Sequence, residues 1–301
     1  RPHTRIVPQC MTETPLIPVP GAPRLTAALC SLKREVEIVD EHGERRSIAL
    51  PAERPLTVLV DGRELVTLLT LGACPELLVL GYLHNQGLIG GVNEIAAIEV
   101  DWPSGTAAVS LGPGAAAQAK RSRRSAATGS GQGTAFGDLM KRIDSIRLPP
   151  PDAARIRQST LYTLLETVRE RDTLHRGPRS VHGCALFRGA LMLMFVEDVG
   201  RHNAMDAVAG WMLLHGIAGG DKILYSTGRL SGEMVVKAAQ TGVPIVVSRN
   251  GVTAMGYEVA RRLGMTLIGR AVKRRLLCYV GAERFDAEPE LRSAAPRDRE
   301  K

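Results

Sequence analysis

Between Val196 and Asp206 the chain reads "VEDVGRHNAMD", its densest run of reactive side chains. Glu197, Asp198, Arg201, His202, Asn203 and Asp206 all follow directly on an apolar stretch. At a strand–helix junction such a group can hold an arginine rigidly against a ligand, or orient an imidazole for proton transfer. Asn203 and Asp206, three apart, also suit the N-terminal cap of the next helix. Metal ligation is disfavoured: His182 and Cys184 are the nearest additional ligands, and their spacing fits no common zinc pattern. His182 reads as a histidine satisfied within a core.

Three later stretches repeat one composition, an arginine among small polar residues. "STGRLSGE" supplies Ser226, Thr227, Gly228, Arg229 and Ser231; "SRNGVT" supplies Ser248, Arg249, Asn250 and Thr253; "GRAVKRR" supplies Arg270, Lys273, Arg274 and Arg275. Backbone N–H groups, hydroxyls and guanidinium forks gathered on one edge would favour an anion with several phosphate oxygens. Ser231 and Thr253 also suit plain helix caps, and the arginines plain solvation.

A fourth stretch, "AATGSGQGTAFGD" from Ala126 to Asp138, follows a basic run with Lys120, Arg121, Arg123 and Arg124. It has no Gly-Lys-Ser/Thr for a Walker loop. Nor does a strand precede it, as a dinucleotide fingerprint or a Gly-x-Ser-x-Gly elbow requires.

The elements that must position these residues are legible in outline. Residues 33–68 read as strands, with Asp61-Gly62 between two apolar runs as a hairpin turn. "PELLVLGYLHNQGLI" reads as a helix opened by Pro75 and stopped at Gly87. "EIAAIEVDW" and "TAAVSLG" make another strand pair, and helices are predicted over "FGDLMKRIDSI" and "STLYTLLETVRERDTLH". From about Ser180, "CALFRGALMLMFV" gives two strands, and the polar cluster leads to a helix over "AVAGWMLLHG". Strands "KILYS", "VPIVVS" and "MTLIGRA" then alternate with helices over "EMVVKAAQTG" and "AMGYEVARRLG". This alternation predicts βαβ crossovers and a largely parallel sheet in an α/β fold, with the three arginine loops beyond the strand ends.

Composition narrows the partners. The 301 residues carry a formal net charge of +8, which favours an anionic partner. At 4% aromatic content the chain offers few base-stacking platforms, so nucleic acid is the lesser expectation. No run of about 18 apolar residues suggests a membrane span. The first residues lack a signal-peptide layout, and five cysteines stand far apart with no CxxC pair. Reduced thiols and a cytoplasmic location are expected.

"EDVGRHNAMD", "STGRLSGEMVVKAAQTGVPI" and "TLIG", with "PLTVLVDGRELVTLL" and "ELLVLGYLHNQGLI" before them, resemble the FdhD family of formate dehydrogenase accessory proteins. The resemblance runs from roughly Val36 to Val280. It implies a cytidine-deaminase-like C-terminal α/β half with a smaller, mainly β N-terminal part. The expected layout is a disordered extension over 1–32, a strand-rich subdomain over 33–112 and a mobile Gly/Ser/Arg loop over 113–135. The α/β domain over 136–284 and a disordered tail over 285–301 complete it.

The implied activity is sulfur carriage from a cysteine desulfurase to molybdenum bis(molybdopterin guanine dinucleotide), for the catalytic subunit of formate dehydrogenase. The expected assembly is a homodimer, without a structural metal. The family's cofactor-contacting segment falls on Arg270, Ala271, Val272, Lys273, Arg274 and Arg275, where this chain is basic and lacks the usual leading Phe. Thr227, Gly228, Arg229, Ser248, Arg249, Asp198, Arg201, His202 and Asn203 are the further cofactor-binding candidates. The family carries sulfur on Thr-Gly-Cys-Gly-x-Cys-Gly. Here the stretch reads Thr128-Gly129-Ser130-Gly131-Gln132-Gly133-Thr134, so Ser130 and Gly133 take the cysteine positions. The Asp-Lys pair after the family's His-Asn-Ala motif is likewise altered, to Asp206-Ala207. A serine hydroxyl forms no persulfide, which leaves a cofactor chaperone without persulfide chemistry as the alternative.

Overall fold

The computed structural model describes residues 11–12, 19–112, 143–171 and 180–292. Short strands β1 (Met11–Thr12) and β2 (Arg24–Leu25) precede a hairpin of β3 (Lys33–Val39) and β4 (Arg45–Pro51). A second hairpin pairs β5 (Arg54–Val60) with β6 (Arg63–Thr70), and the register Val60↔Arg63 leaves only Asp61 and Gly62 in the turn. Both have positive φ, 45° and 76°, as the Asp-Gly sequence predicts. After helix α1 (Pro75–Asn85), strands β7 (Ile95–Asp101) and β8 (Thr106–Leu111) complete a five-stranded sheet ordered β2-β7-β8-β5-β6.

The second half opens with β9 (Ile156–Arg157) and α2 (Gln158–Arg171), then β10 (His182–Arg188), β11 (Leu191–Asp198) and α3 (Arg201–Leu214). Next come β12 (Lys222–Ser226), α4 (Gly232–Gln240), β13 (Ile245–Ser248) and α5 (Ala254–Leu263). Strands β14 (Thr266–Val272), β15 (Arg275–Val280) and β16 (Phe285–Asp286) close the order. Seven strands form one sheet in the order β1-β11-β10-β12-β13-β14-β15. Alternation divides its side chains: Leu224, Val246 and Leu267 join the core shared with α1, α3, α4 and α5, whereas Ile223, Ile245 and Ile268 join the core beneath α2.

The expectation of a largely parallel sheet is corrected. Only the β12–β13 and β13–β14 pairings of this sheet are parallel. Two-residue connections explain two of the four antiparallel pairings, because parallel neighbours need a long crossover and these turns permit none. Gly189-Ala190 joins β10 to β11, and Lys273-Arg274 joins β14 to β15. The predicted loop "GRAVKRR" is therefore largely a hairpin. The mixed α/β class itself stands.

Both expected disordered ends are structured where described. Arg24 and Leu25 pair with β7, while Thr26 Oγ1 and Ala28 N each donate to Glu76 Oε1 at 2.7 Å. A buried carboxylate in the first turn of α1 thus anchors the extension. At the other end β16 pairs with β9, and Glu288 accepts from the Ser159 amide at 2.6 Å. The reduced-thiol expectation is corrected at Cys74, which is disulfide-bonded, whereas Cys30, Cys184 and Cys278 are free. Among the described residues no helix is long and apolar enough to cross a membrane. Residues 136–142 of the helix expected over 136–146 lie outside the described residues.

Helices α1 and α3 cross at backbone contact. A Cβ on Gly81 would lie 1.8 Å from the Asp206 carbonyl oxygen, and one on Gly210 would lie 2.0 Å from that of Leu77. Neither backbone can yield without moving a helix. Gly210→Ala is expected to cost about 1–3 kcal/mol or more by overpacking. Gly251→Ala, where an added Cβ meets nothing within 4 Å, should stay within about 0.5 kcal/mol of the parent. Denaturant midpoints check this, and equal midpoints for the two variants would contradict the crossing.

Candidate functional site

Strands β12, β13 and β14 run parallel, with Ser226 level with Ser248, and their C-terminal ends define the edge where ligands meet an open α/β sheet. Buried side chains fix the loops there. Ser248 Oγ donates to the Gly228 carbonyl at 2.6 Å and accepts from Asn250 N at 2.9 Å. Asn250 Nδ2 donates to the Thr227 carbonyl at 2.5 Å, and Thr227 Oγ1 accepts from Gly183 N at 2.9 Å. Thr227 and Ser248 are therefore braces under the loops, and Arg229 and Arg249 are the exposed residues they carry.

The third segment divides. Arg270 N donates to the Asn250 carbonyl at 2.9 Å, so Arg270 adjoins the second loop. A register shift between Gly269 and Val272 places Arg270 at φ +49°, a left-handed conformation that side chains disfavour. Ala271 turns into the core beneath α2. Val272, Lys273, Arg274 and Arg275 are exposed at the hairpin. Arg274 is drawn toward α2, its guanidinium 5.8 Å from the Tyr162 ring centre.

Helix α3 brings the earlier cluster to this edge. Gly200 is its N-cap residue, so Arg201 and His202 occupy the first turn. A Cβ on Gly228 would lie 2.7 Å from Arg201 Cδ, which shows the Arg201 side chain lying on the Gly228 backbone. Burial, then the neighbouring Arg229, lowers the Arg201 pKa, and its Nε is buried without a hydrogen-bond partner. Burial, with Lys237, Arg201 and His182 nearby, holds His202 down at about 3, so its imidazole is neutral. Its Nε2 lies 3.7 Å from Glu233 Oε2, too far for a hydrogen bond. Burial pushes the Glu233 carboxyl up, against the opposing charge of Lys237.

The expected capping by Asn203 and Asp206 is corrected, because both side chains have tertiary partners. Asn203 Nδ2 donates to Asp198 Oδ1 at 2.9 Å and to the Leu69 carbonyl at 2.7 Å. Asp206, fully buried, accepts from Asn85 Nδ2 at 2.7 Å and pairs with Lys237 Nζ at 2.8 Å. Asp198 also accepts from Thr70 Oγ1 at 2.5 Å, Leu71 N at 3.1 Å and Gly200 N at 3.0 Å. Burial raises its pKa while these donors oppose the rise. Asp198 and Asn203 thus join the two halves of the chain from beneath the edge, and Glu197 is buried at the end of β11.

The sequence did not single out Glu233 or Lys237. Glu233 had one local signal, an acidic residue in the first turn of α4 beside an arginine loop; Lys237, on a buried helix face, had none. Ser130 and Gly133 lie outside the described residues. What the structure brings together at this edge is a group of guanidiniums, with a neutral imidazole and a carboxyl group beside it.

Comparison with known proteins follows the same lines. Residues 51–286 match the FdhD/NarQ family. The Sulfur carrier protein FdhD of Bacillus pumilus (strain SAFR-032) is 33% identical over 218 residues, 72% of this chain and 82% of that protein. Its counterpart in Halalkalibacterium halodurans is 29% identical over 266 residues, 87% of this chain and 97% of that one. A crystal structure from Desulfotalea psychrophila, described as a formate dehydrogenase accessory protein, superposes with a TM-score of 0.67. It is 25% identical, and the match covers 84% of this chain and 98% of the other.

The neutral His202 generates a pH test. The unfolded chain takes up this proton near the ordinary histidine value of 6.5 and the folded chain only at about 3. The stabilising difference is therefore present above pH 6.5 and is lost as pH falls through that window. His202→Gln should unfold with a shallower loss of stability than the parent between about pH 7 and about pH 4.5. Parallel stability curves would contradict a buried neutral imidazole.

Proposed function

The chain belongs to the FdhD/NarQ family, and from that premise we propose that it binds a guanylylated, phosphate-rich molybdenum cofactor on behalf of a formate dehydrogenase. The observation that carries the reading is the pair Arg201 and Arg229 flanking the Gly228 backbone. They repel one another, and among the described residues neither closes a salt bridge. An anion supplies the missing charge. Molybdenum bis(molybdopterin guanine dinucleotide) carries pyrophosphate and guanine groups, which suit this donor set. Arg201, Arg229, Arg249 and Arg270 would hold its phosphates, while Thr227, Ser248 and Asn250 keep the loops in place. The cofactor supplies the molybdenum centre to which sulfur is delivered.

The free thiols of the described residues are poorly suited to sulfur carriage. Cys184 is fully buried, and burial pushes it to about 12. Burial likewise raises Cys30 and Cys278. A thiol kept protonated is a poor acceptor of sulfur from a desulfurase persulfide. With Ser130 at the family's carrier position, the chain holds the cofactor while persulfide chemistry through that loop is lost.

Two measurements check this. Isothermal titration should show GDP binding that survives moderate salt and weakens about ten-fold or more in Arg229→Ala. Absence of GDP binding, with strongly salt-dependent binding to any duplex instead, would point to a nucleic-acid partner. After incubation with a cysteine desulfurase and labelled cysteine, the parent chain should carry no labelled persulfide and Ser130→Cys should carry one. A persulfide on any thiol of the parent would overturn the carrier-free version.

A further inference from the structure

The two sheets meet end to end at one carboxylate. Strand β6 ends at Thr70 in the five-stranded sheet, and β11 ends at Asp198 in the seven-stranded one. The two oxygens of Asp198 divide the halves of the chain between them. Oδ2 accepts from Thr70 Oγ1 at 2.5 Å and from Leu71 N at 3.1 Å. Oδ1 accepts from Gly200 N at 3.0 Å and from Asn203 Nδ2 at 2.9 Å. Asn203 Nδ2 also reaches back to the Leu69 carbonyl, 2.7 Å away. Three consecutive residues, Leu69 to Leu71, thus hold the two residues that bracket Arg201 and His202.

Thr70 is the member of this clasp whose side chain can be changed without touching α3. Its buried hydroxyl accepts from Gly72 N at 3.1 Å, so its single proton is directed at Asp198. Loss of that donor leaves Oδ2 with the Leu71 amide in a site closed to water, where burial already disfavours the ionised carboxylate. A carboxyl that takes up a proton, or turns toward another donor, weakens its grip on Gly200 and Asn203. Arg201, between them, has no slack to absorb the change. A Cβ on Gly228 would lie 2.7 Å from Arg201 Cδ and 2.8 Å from its Cβ, so the side chain is already seated hard on that backbone.

Resting on the cofactor-binding reading, we propose that Thr70 is a positioning residue for the arginine edge. Acting through Asp198, it sets the first turn of α3 where Arg201 meets the ligand, which makes the N-terminal half part of the binding unit. Linkage is reciprocal: an anion seated at the edge tightens the clasp in return.

The test titrates the intact protein with GDP and with pyrophosphate. Thr70→Val, which keeps the outline of the side chain and removes the hydroxyl, should weaken both by about five-fold or more. Thr70→Ser, which keeps the donor, should stay within about two-fold of the parent. Val58 is fully buried in the same sheet and takes no part in the clasp. Val58→Ala should lower the denaturant midpoint yet leave both affinities within about two-fold of the parent, which separates positioning from stability. Hydrogen exchange supplies a readout on the parent itself: GDP should slow exchange at the Leu71 amide, whether or not Thr70→Val folds. Parental affinity in Thr70→Val, an equal loss in Val58→Ala, or no slowing at Leu71 would each overturn the assignment and leave the cofactor reading standing. A parent that binds neither GDP nor pyrophosphate would overturn both.

Discussion

The pair of Asp206 and Lys237, 2.8 Å apart and almost wholly out of solvent, is the constraint around which the site is arranged. Breaking such a pair by removing one partner costs about 3–5 kcal/mol, because the survivor is a buried uncompensated charge. Asp206 also holds Asn85, so the cluster ties α1, α3 and α4 together. The same turn of α3 is where the α1 backbone approaches most closely, over Gly81. With α3 and α4 fixed in this way, their first turns face one another across the sheet edge. Arg201 and His202 stand on one side and Glu233 on the other.

A second polar anchor joins the halves of the chain. Four donors converge on Asp198: Thr70 and Leu71 come from the end of the N-terminal sheet, and Gly200 and Asn203 from the start of α3. The N-terminal half is thereby coupled to the helix that presents Arg201. The buried polar groups of "EDVGRHNAMD" divide into supports and presenters. Asp198, Asn203 and Asp206 hold the fold, while Arg201 and His202 reach the edge.

Much of the site was legible in the sequence because local chemistry dictated it. Asp61-Gly62 can scarcely be other than a turn, and Arg229 and Arg249 follow strands whose apolar runs are unmistakable. The gathering of arginines at the strand ends could be read from loop composition alone. The roles of Asp198 and Asn203 could not: their partners Thr70, Leu71 and Leu69 lie more than a hundred residues away in sequence. Asp206 looked like a helix cap for the same reason, since Lys237 and Asn85 are neighbours only in three dimensions. The sheet was read as largely parallel because the two-residue turn at Lys273-Arg274 hides inside a basic run, and because the order in which β10 and β11 join the sheet is not written in their local sequence. Glu233 passed unremarked because a first-turn acid is ordinary until its neighbours are known.

In the proposed mode of binding, the converging first turns and the loops after β12 and β13 grip the cofactor's nucleotide end. Hydrogen–deuterium exchange of the intact protein, with and without saturating GDP, tests it most directly. Exchange should slow at the amides of Thr227 to Glu233, Arg249 to Thr253 and the first turn of α3, with α2 and the β3–β4 hairpin unchanged. Protection confined to those distant elements, with none at the arginine edge, would contradict it.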